Sequence, residues 1–201
     1  MGKVHDRITD RLRDFIARQH VFFVATAPLS ADGHVNVSPK GIPGTSCVVD
    51  DHCFAYLDIT ASGAETIAHL RENGRIVVMF CAFEGPPNVL RLHGRGRVIG
   101  LHDPEYAAWA ARFDDVAGAR AVIVVDVERV SDSCGFGVPL FEHVGERDLL
   151  PAHMARKGPD GRARYRRQKN RVSVDGLRAF DDDGPEPLAG APCGDRTQSW
   201  I

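Results

Sequence analysis

The chain has almost no net charge: 25 Lys and Arg stand against 27 Asp and Glu, leaving −2 with histidines neutral. Attraction to a nucleic-acid backbone or an anionic membrane is built from excess Lys and Arg. A general binder of either is therefore not expected. Long apolar runs are missing too; none approaches the ~20 residues that cross a bilayer. The opening residues, MGKVHDRITDRLRDF, are charged throughout, so no secretory leader is expected. Cysteine is sparse and odd in number (Cys47, Cys53, Cys81, Cys134 and Cys193), with no C-x-x-C pair. Such a set reads as reduced thiols in a reducing compartment, hence a cytoplasmic protein. The nine histidines show no two-His spacing on one helix face beside a carboxylate, so no metal centre is expected. No internal repeat is present.

What is there is an ordinary globular composition, 43% hydrophobic and 26% charged over 201 residues, enough for one core and an appendage. Residues 5–19 carry Ile8, Leu12, Phe15 and Ile16 on one helical stripe. Val21 to Val24 is a short β-branched and aromatic run, Ala31-Asp32-Gly33 is turn chemistry, and His34 to Ser38 alternates. Val35 and Val37 face one way there; His34, Asn36 and Ser38 face the other. Pro39 ends the ladder and Lys40 follows at once. A hydroxyl, an ammonium and a glycine at a strand end can form an anion site, and they serve equally as a plain turn. Ser46–Val49 and Cys53–Ile59 are strands, the latter continuous enough to be buried on both faces. Ser62 and Glu65 have capping-box spacing before a helix that Asn73-Gly74 closes. Residues 75–83 and 89–101 are long strands; Gly94 and Gly96 lie on one side of the second, predicting a bulge or a close approach. Asp103-Pro104 opens a helix, and residues 121–130 are the most hydrophobic strand. After it, residues 131–139 are too glycine-rich for regular structure. From Glu146 the composition shifts: residues 147–157 look helical, 158–161 form a turn, and 162–171 are basic with a single aromatic, Tyr165. The last twenty residues look extended or disordered, with Trp200 near the end. Physics alone leaves a sandwich or a small barrel open.

The order of these elements, hairpin, SPKG, FAYLDITAS, helix, NGRIVVMF and then VLRLHGRGRV, resembles the pyridoxamine 5′-phosphate oxidase-like proteins, the FMN-binding split β-barrels. The resemblance covers about residues 10 to 150, and KNRVSVDGL at 169–177 resembles a tail of one branch of that family, distinct from the vitamin oxidase itself. It implies a mostly β fold with α decoration (α+β), a six-stranded antiparallel split β-barrel of the FMN-binding type. That domain spans residues 1–145, with a helical and extended extension, 146–201, packing on the barrel or a partner subunit. By the resemblance, Ser38 and Lys40 hold the FMN phosphate, and Asp58, Ile59 and Thr60 line the strand edge along the flavin ring. Ser62 falls at the phosphate-binding helix start, where a helix cap is an equally open role. Two departures matter. His34 stands where the family has a second basic residue, and Ala64 stands where a basic residue opens the helix. Arg91, Arg95 or Arg97 is left to compensate; of these Arg91 is taken as a cofactor residue, and a solvated strand face is the competing reading of all three.

The resemblance implies an FMN-dependent oxidoreductase with the flavin at a homodimer interface. Neither a substrate, nor an electron acceptor, nor a catalytic residue is assigned. A flavin- or haem-binding protein without turnover and a deazaflavin-dependent reductase remain as alternatives on the same fold.

Overall fold

The computed structural model describes residues 2–180. Cys193 and Trp200 lie outside the described residues. Eight strands and four helices follow in the order β1 (Lys3–His5), α1 (Asp10–Ala17), β2 (Phe22–Thr26), β3 (Asn36–Lys40), β4 (Ser46–Asp50), β5 (Cys53–Ile59), α2 (Glu65–Asn73), β6 (Arg75–Cys81), β7 (Val89–Gly100), α3 (Tyr106–Ala110), β8 (Ala119–Ser133) and α4 (Leu149–Lys169). All strands join one antiparallel sheet, ordered β3-β2-β6-β7-β8-β5-β4, with β1 added to β8. The expected mostly β, antiparallel architecture with helical decoration is what the chain adopts. The sheet has eight strands rather than six, β1 at the chain start pairing with the end of β8, and its path is open with β3 and β4 at the two ends.

Sheet amphipathicity places the core. On one face Phe22, Phe54, Tyr56 and Phe80 form an aromatic cluster, most of its pairs with ring centroids 5.6–5.7 Å apart, joined by Val24, Val78, Leu90, Leu92, Ile123 and Val125. Leu12, Phe15 and Ile16 of α1 and Ile67 and Leu70 of α2 seal that core, as the one-sided apolar stripe of a surface helix does. A second cluster lies on the opposite face of β5 and β8: Cys53, Ala55, Leu57, Ile59, Val122 and Val124, covered by Trp109, Phe113 and Leu150. Covered on both sides, Cys53–Leu57 of β5 and Ala121–Val125 of β8 are apolar at every position, which is why those stretches read as hydrophobic runs.

Gly94 sits at a bulge between β7 and β8, where an added Cβ would collide with the backbone carbonyl of Asp126. Gly96 lies under Leu70 of α2, 2.7 Å from where its Cβ would be. The glycine pair thus lets two neighbours approach. The helices differ from their sequence boundaries. α1 starts at Asp10 with Thr9 as its N-cap, because Lys3–His5 form β1 and the chain bends between them. α3 is only five residues long. α4 runs through the expected turn, breaking only at Gly158, which has φ 64° and ψ 174°. Pro159 then opens the second half, where its missing N–H costs nothing. The segment after α4 returns to the barrel: Ala179 is fully buried in the main core, with Leu177 and Phe180 against it.

Candidate functional site

β3 is an edge strand, and its two faces are reversed from the usual pattern. Val35 and Val37 point outward with 71% and 61% of their surface exposed. Asn36, Ser38 and Lys40 point the other way, cross-strand from Thr26, Val24 and Phe22. The inward residues form a polar seam along the end of the sheet. Ser38 Oγ donates to Asn36 Oδ1 at 3.1 Å. Asn36 Nδ2 donates to Thr66 Oγ1 at 3.0 Å and Thr26 Oγ1 at 3.3 Å. Thr26 Oγ1 lies 3.0 Å from His69 Nδ1. Burial pushes the His69 imidazole down, toward its neutral form.

At the Lys40 end stands a buried charge cluster. Lys40 Nζ bonds Asp58 Oδ1 at 2.9 Å, and Arg120 Nε bonds Asp58 Oδ2 at 2.6 Å. Asp58 is 1% exposed, while the Lys40 side chain keeps 23%. Burial alone would push the Asp58 carboxyl up; the Arg120 and Lys40 charges outweigh it and hold it down at about 2. Burial likewise pushes the neighbouring Tyr56 phenol well above its ordinary range. Two cations against one carboxylate leave the cluster with a net positive charge. Arg120 Nη2 donates to the Gly63 carbonyl at 2.8 Å, fixing the β5–α2 loop. Arg120 Nη1 and Thr60 Oγ1 are buried without a hydrogen-bond partner. No side chain caps the α2 N-terminus, so its first backbone N–H groups retain their attraction for anions.

Of the residues marked in the sequence, Ser38, Lys40, Asp58 and Thr60 gather at this corner. Ile59 does not join them; successive strand residues alternate faces, and its side chain packs in the second apolar cluster. Arg91 is also elsewhere. It is cross-strand from Met79, which pairs Phe23, which pairs Pro39, so it shares the outer face with Pro39 and not the inner face with Lys40. There it bonds Ser133 Oγ at 3.2 Å. Ser62 is not the helix cap: α2 begins at Glu65 after Ala64, and Glu65 Oε1 accepts from the Val174 N–H instead of closing a capping box. Arg120 was missed by sequence reasoning. The available signal was a charge placed directly before the apolar run Ala121–Val125 of β8, which is costly to bury unless paired. His34 and Asp175 were missed as partners; their side chains meet at 2.6 Å and tie the segment after α4 to the β2–β3 connection.

Two cavities open on the side of α1. One, of about 860 Å³, lies between α1 and the β6–β7 turn and is lined by Phe15, Phe83 and Phe141 with Arg11 and Arg18. The other, of about 540 Å³, lies between α1 and residues 41–48. They share Gln19 and His20.

An antiparallel sheet with an inward polar seam on one edge, a buried cationic corner and a helix start beside it defines a split-barrel protein with an anion-compatible edge. Residues 8–134 match the family described as pyridoxamine 5′-phosphate oxidase, and the chain belongs to that family. A curated relative, the pyridoxamine 5′-phosphate oxidase family protein ustO of Aspergillus flavus, is 49% identical over 141 residues. That alignment takes in 69% of this chain and 56% of the relative, so the chain spans little more than half the length of that protein. Among solved structures, a variant of HupZ from Group A Streptococcus is 28% identical with a TM-score of 0.50, covering 63% of this chain and 99% of that one. An FMN-binding protein from Syntrophomonas wolfei is 16% identical with a TM-score of 0.44, covering 60% of this chain and 80% of that one. Among the described residues no helix is long and apolar enough to cross a membrane.

Proposed function

We propose that this protein binds FMN at the β3 seam and acts as a flavin-dependent oxidoreductase of the pyridoxamine 5′-phosphate oxidase-like class, as a homodimer in the cytoplasm. Family membership supports the flavin, and the Lys40–Asp58–Arg120 corner is the observation that carries its placement. It is net positive, partly exposed only through Lys40, and holds unpartnered donors at Arg120 Nη1 and Thr60 Oγ1 beside an uncapped helix start. These residues fit a phosphate monoester. Lys40, Ser38 and Thr60 would hold it, with Ser62 on the adjoining loop. Asp58 is an acceptor only and cannot bind phosphate; it orients the two cations. Asn36 offers an amide along the same edge. When bound, FMN supplies hydride acceptance and onward electron transfer; the protein supplies position and electrostatics. Ile59 and Arg91 take no part in this reading. Dimerisation is supported by the outward valines of β3, which give an apolar edge strand that a soluble chain ordinarily covers.

The test is titration of the purified protein with FMN and with riboflavin, beside the Lys40→Ala variant. FMN should bind one per chain and more tightly than riboflavin. Loss of one charge-assisted contact should weaken FMN about 10- to 100-fold, from about 1.5–3 kcal/mol per such bond, and leave riboflavin nearly unchanged. A protein that binds neither, or binds both alike, would overturn the reading.

A further inference from the structure

His20, His143 and Glu146 come from two stretches more than 120 positions apart, yet their ligand atoms all lie within 4.8 Å of one another. His143 Nε2 lies 3.0 Å and His20 Nδ1 3.8 Å from the same oxygen, Glu146 Oε1. The two imidazole rings stack with centroids 3.6 Å apart and planes 9° from parallel. The approach is held from behind. The His143 backbone N–H donates to Glu84 Oε1 at 2.8 Å, the Phe141 N–H donates to the Phe83 carbonyl at 2.9 Å, and the Phe83 and Phe141 rings meet at 5.4 Å. The stretch carrying His143 and Glu146 is thus anchored on the β6–β7 turn, opposite the α1–β2 corner that carries His20.

We propose that His20, His143 and Glu146 form a binding site for a divalent metal of the zinc type. Two imidazole nitrogens and a carboxylate are a donor set suited to Zn²⁺, with Zn–N and Zn–O near 2.0–2.2 Å. Tetrahedral bonds of that length place donors about 3.3 Å apart, so the two separations here need changes of only about 0.3 and 0.5 Å. Parallel rings cannot both aim in-plane lone pairs at one ion, so binding exchanges the stack for coordination by rotating side chains that are 32–51% exposed. The bound ion would clamp residues 141–146 against the end of α1. Three protein donors leave a fourth position for water or a small anionic ligand, at the boundary of the two cavities that share His20. Nothing in this reading depends on the flavin, and hard oxygen-seeking ions such as Mg²⁺ are disfavoured by the two nitrogens.

The test is calorimetric titration of the tag-free full chain with ZnCl₂, paired with the visible absorption of the Co²⁺ form. One ion per chain is expected, with an intense four-coordinate Co²⁺ band that carries histidine ligation. His20→Ala, His143→Ala and Glu146→Gln should each weaken Zn²⁺ by more than about 100-fold, beyond the 10- to 100-fold that outer contacts cost. His52→Ala, an exposed histidine elsewhere, should leave it unchanged, and thermal melts should show all four variants folded. Wild-type binding no tighter than that of the His20→Ala/His143→Ala double variant would overturn the site. So would a Co²⁺ spectrum showing only hydrated, six-coordinate ion.

Discussion

Removing the charge from Asp58 while keeping its shape, by Asp58→Asn, tests the buried corner most directly. Asp58 is 1% exposed and accepts from both Lys40 and Arg120. Lys40 retains some access to water and can be rehydrated, whereas the Arg120 side chain is 5% exposed and cannot. The cost therefore falls on a guanidinium left buried without its carboxylate, about 3–5 kcal/mol for breaking a buried pair from one side. For a chain of this size that lowers the melting temperature by about 6–20 °C at pH 7, at roughly 2–4 °C per kcal/mol. The pH dependence has a definite sign. The folded carboxyl is depressed from 3.8 to about 2, which corresponds to roughly 2 kcal/mol of preference for the charged form. That contribution is complete above the unfolded value, near 4, and is lost as pH falls from 4 toward 2, with about 1 kcal/mol gone by pH 3. The gap between wild-type and Asp58→Asn melts followed by circular dichroism from pH 7 to 3 should therefore narrow only below pH 4, by about 1 kcal/mol at pH 3. A variant melting within about 3 °C of wild type at pH 7, or a gap that stays constant down to pH 3, would refute the argument. Replacing the whole cluster by Lys40→Met, Asp58→Leu and Arg120→Met should regain most of the loss, since nothing charged is then stranded.

The polar seam gives a second test: Thr26→Val keeps the shape but removes the hydroxyl that His69 and Asn36 share, leaving His69 buried with neither ring nitrogen bonded. Chemical denaturation should show a loss of about 1–3 kcal/mol. Gly94→Ala drives a Cβ into the Asp126 backbone and should cost about 1–3 kcal/mol as overpacking, while Gly137→Ala, with open space around it, should leave the same denaturation midpoint unchanged. Burial pushes the Cys47 and Cys81 thiols up and the Cys53 thiol up to about 11, whereas Cys134 is exposed. Brief alkylation at pH 7.5 followed by peptide mass mapping should therefore label Cys134 ahead of the other three.

The sequence carries those features whose cause is local. The alternation from His34 to Ser38, the apolar run Cys53–Leu57 of β5 and the Gly94–Gly96 spacing each reflect a period or a steric demand written into neighbouring residues. The features that escaped are set by contacts distant in the chain. The Ser62 capping box has correct spacing, but Val174 claims Glu65 and Arg120 claims the Gly63 carbonyl, so the helix starts later. Lys40 and Asp58 are both visible as site residues, but the geometry that makes them one cluster depends on Arg120, 62 positions beyond Asp58. His20 and His143 have no spacing relation at all, and only the fold brings their rings together.

β3 is where sequence and fold bear most closely on function. An edge strand with apolar residues outward and polar residues inward is the inverse of what a soluble monomer uses to protect its edge. Turning the valines inward by a one-residue slip would bury Val35 and Val37 but expel Asn36, Ser38 and Lys40, and with them the bonds to Thr26, Thr66 and Asp58. The register holds because a slip would strip the buried Asp58 carboxylate of one of its two cations and Thr66 of its bond to Asn36. The exposed valines are thus the consequence of keeping a polar seam on the inside. A partner copy covering them would leave the seam in place beneath the interface, so disrupting the proposed dimer through Val35→Asp and Val37→Asp should shift the protein to monomer in sedimentation without altering the pH-dependent gap produced by Asp58→Asn. If the paired substitution abolished that gap, the seam and the outer face would be coupled, and the register argument would fail.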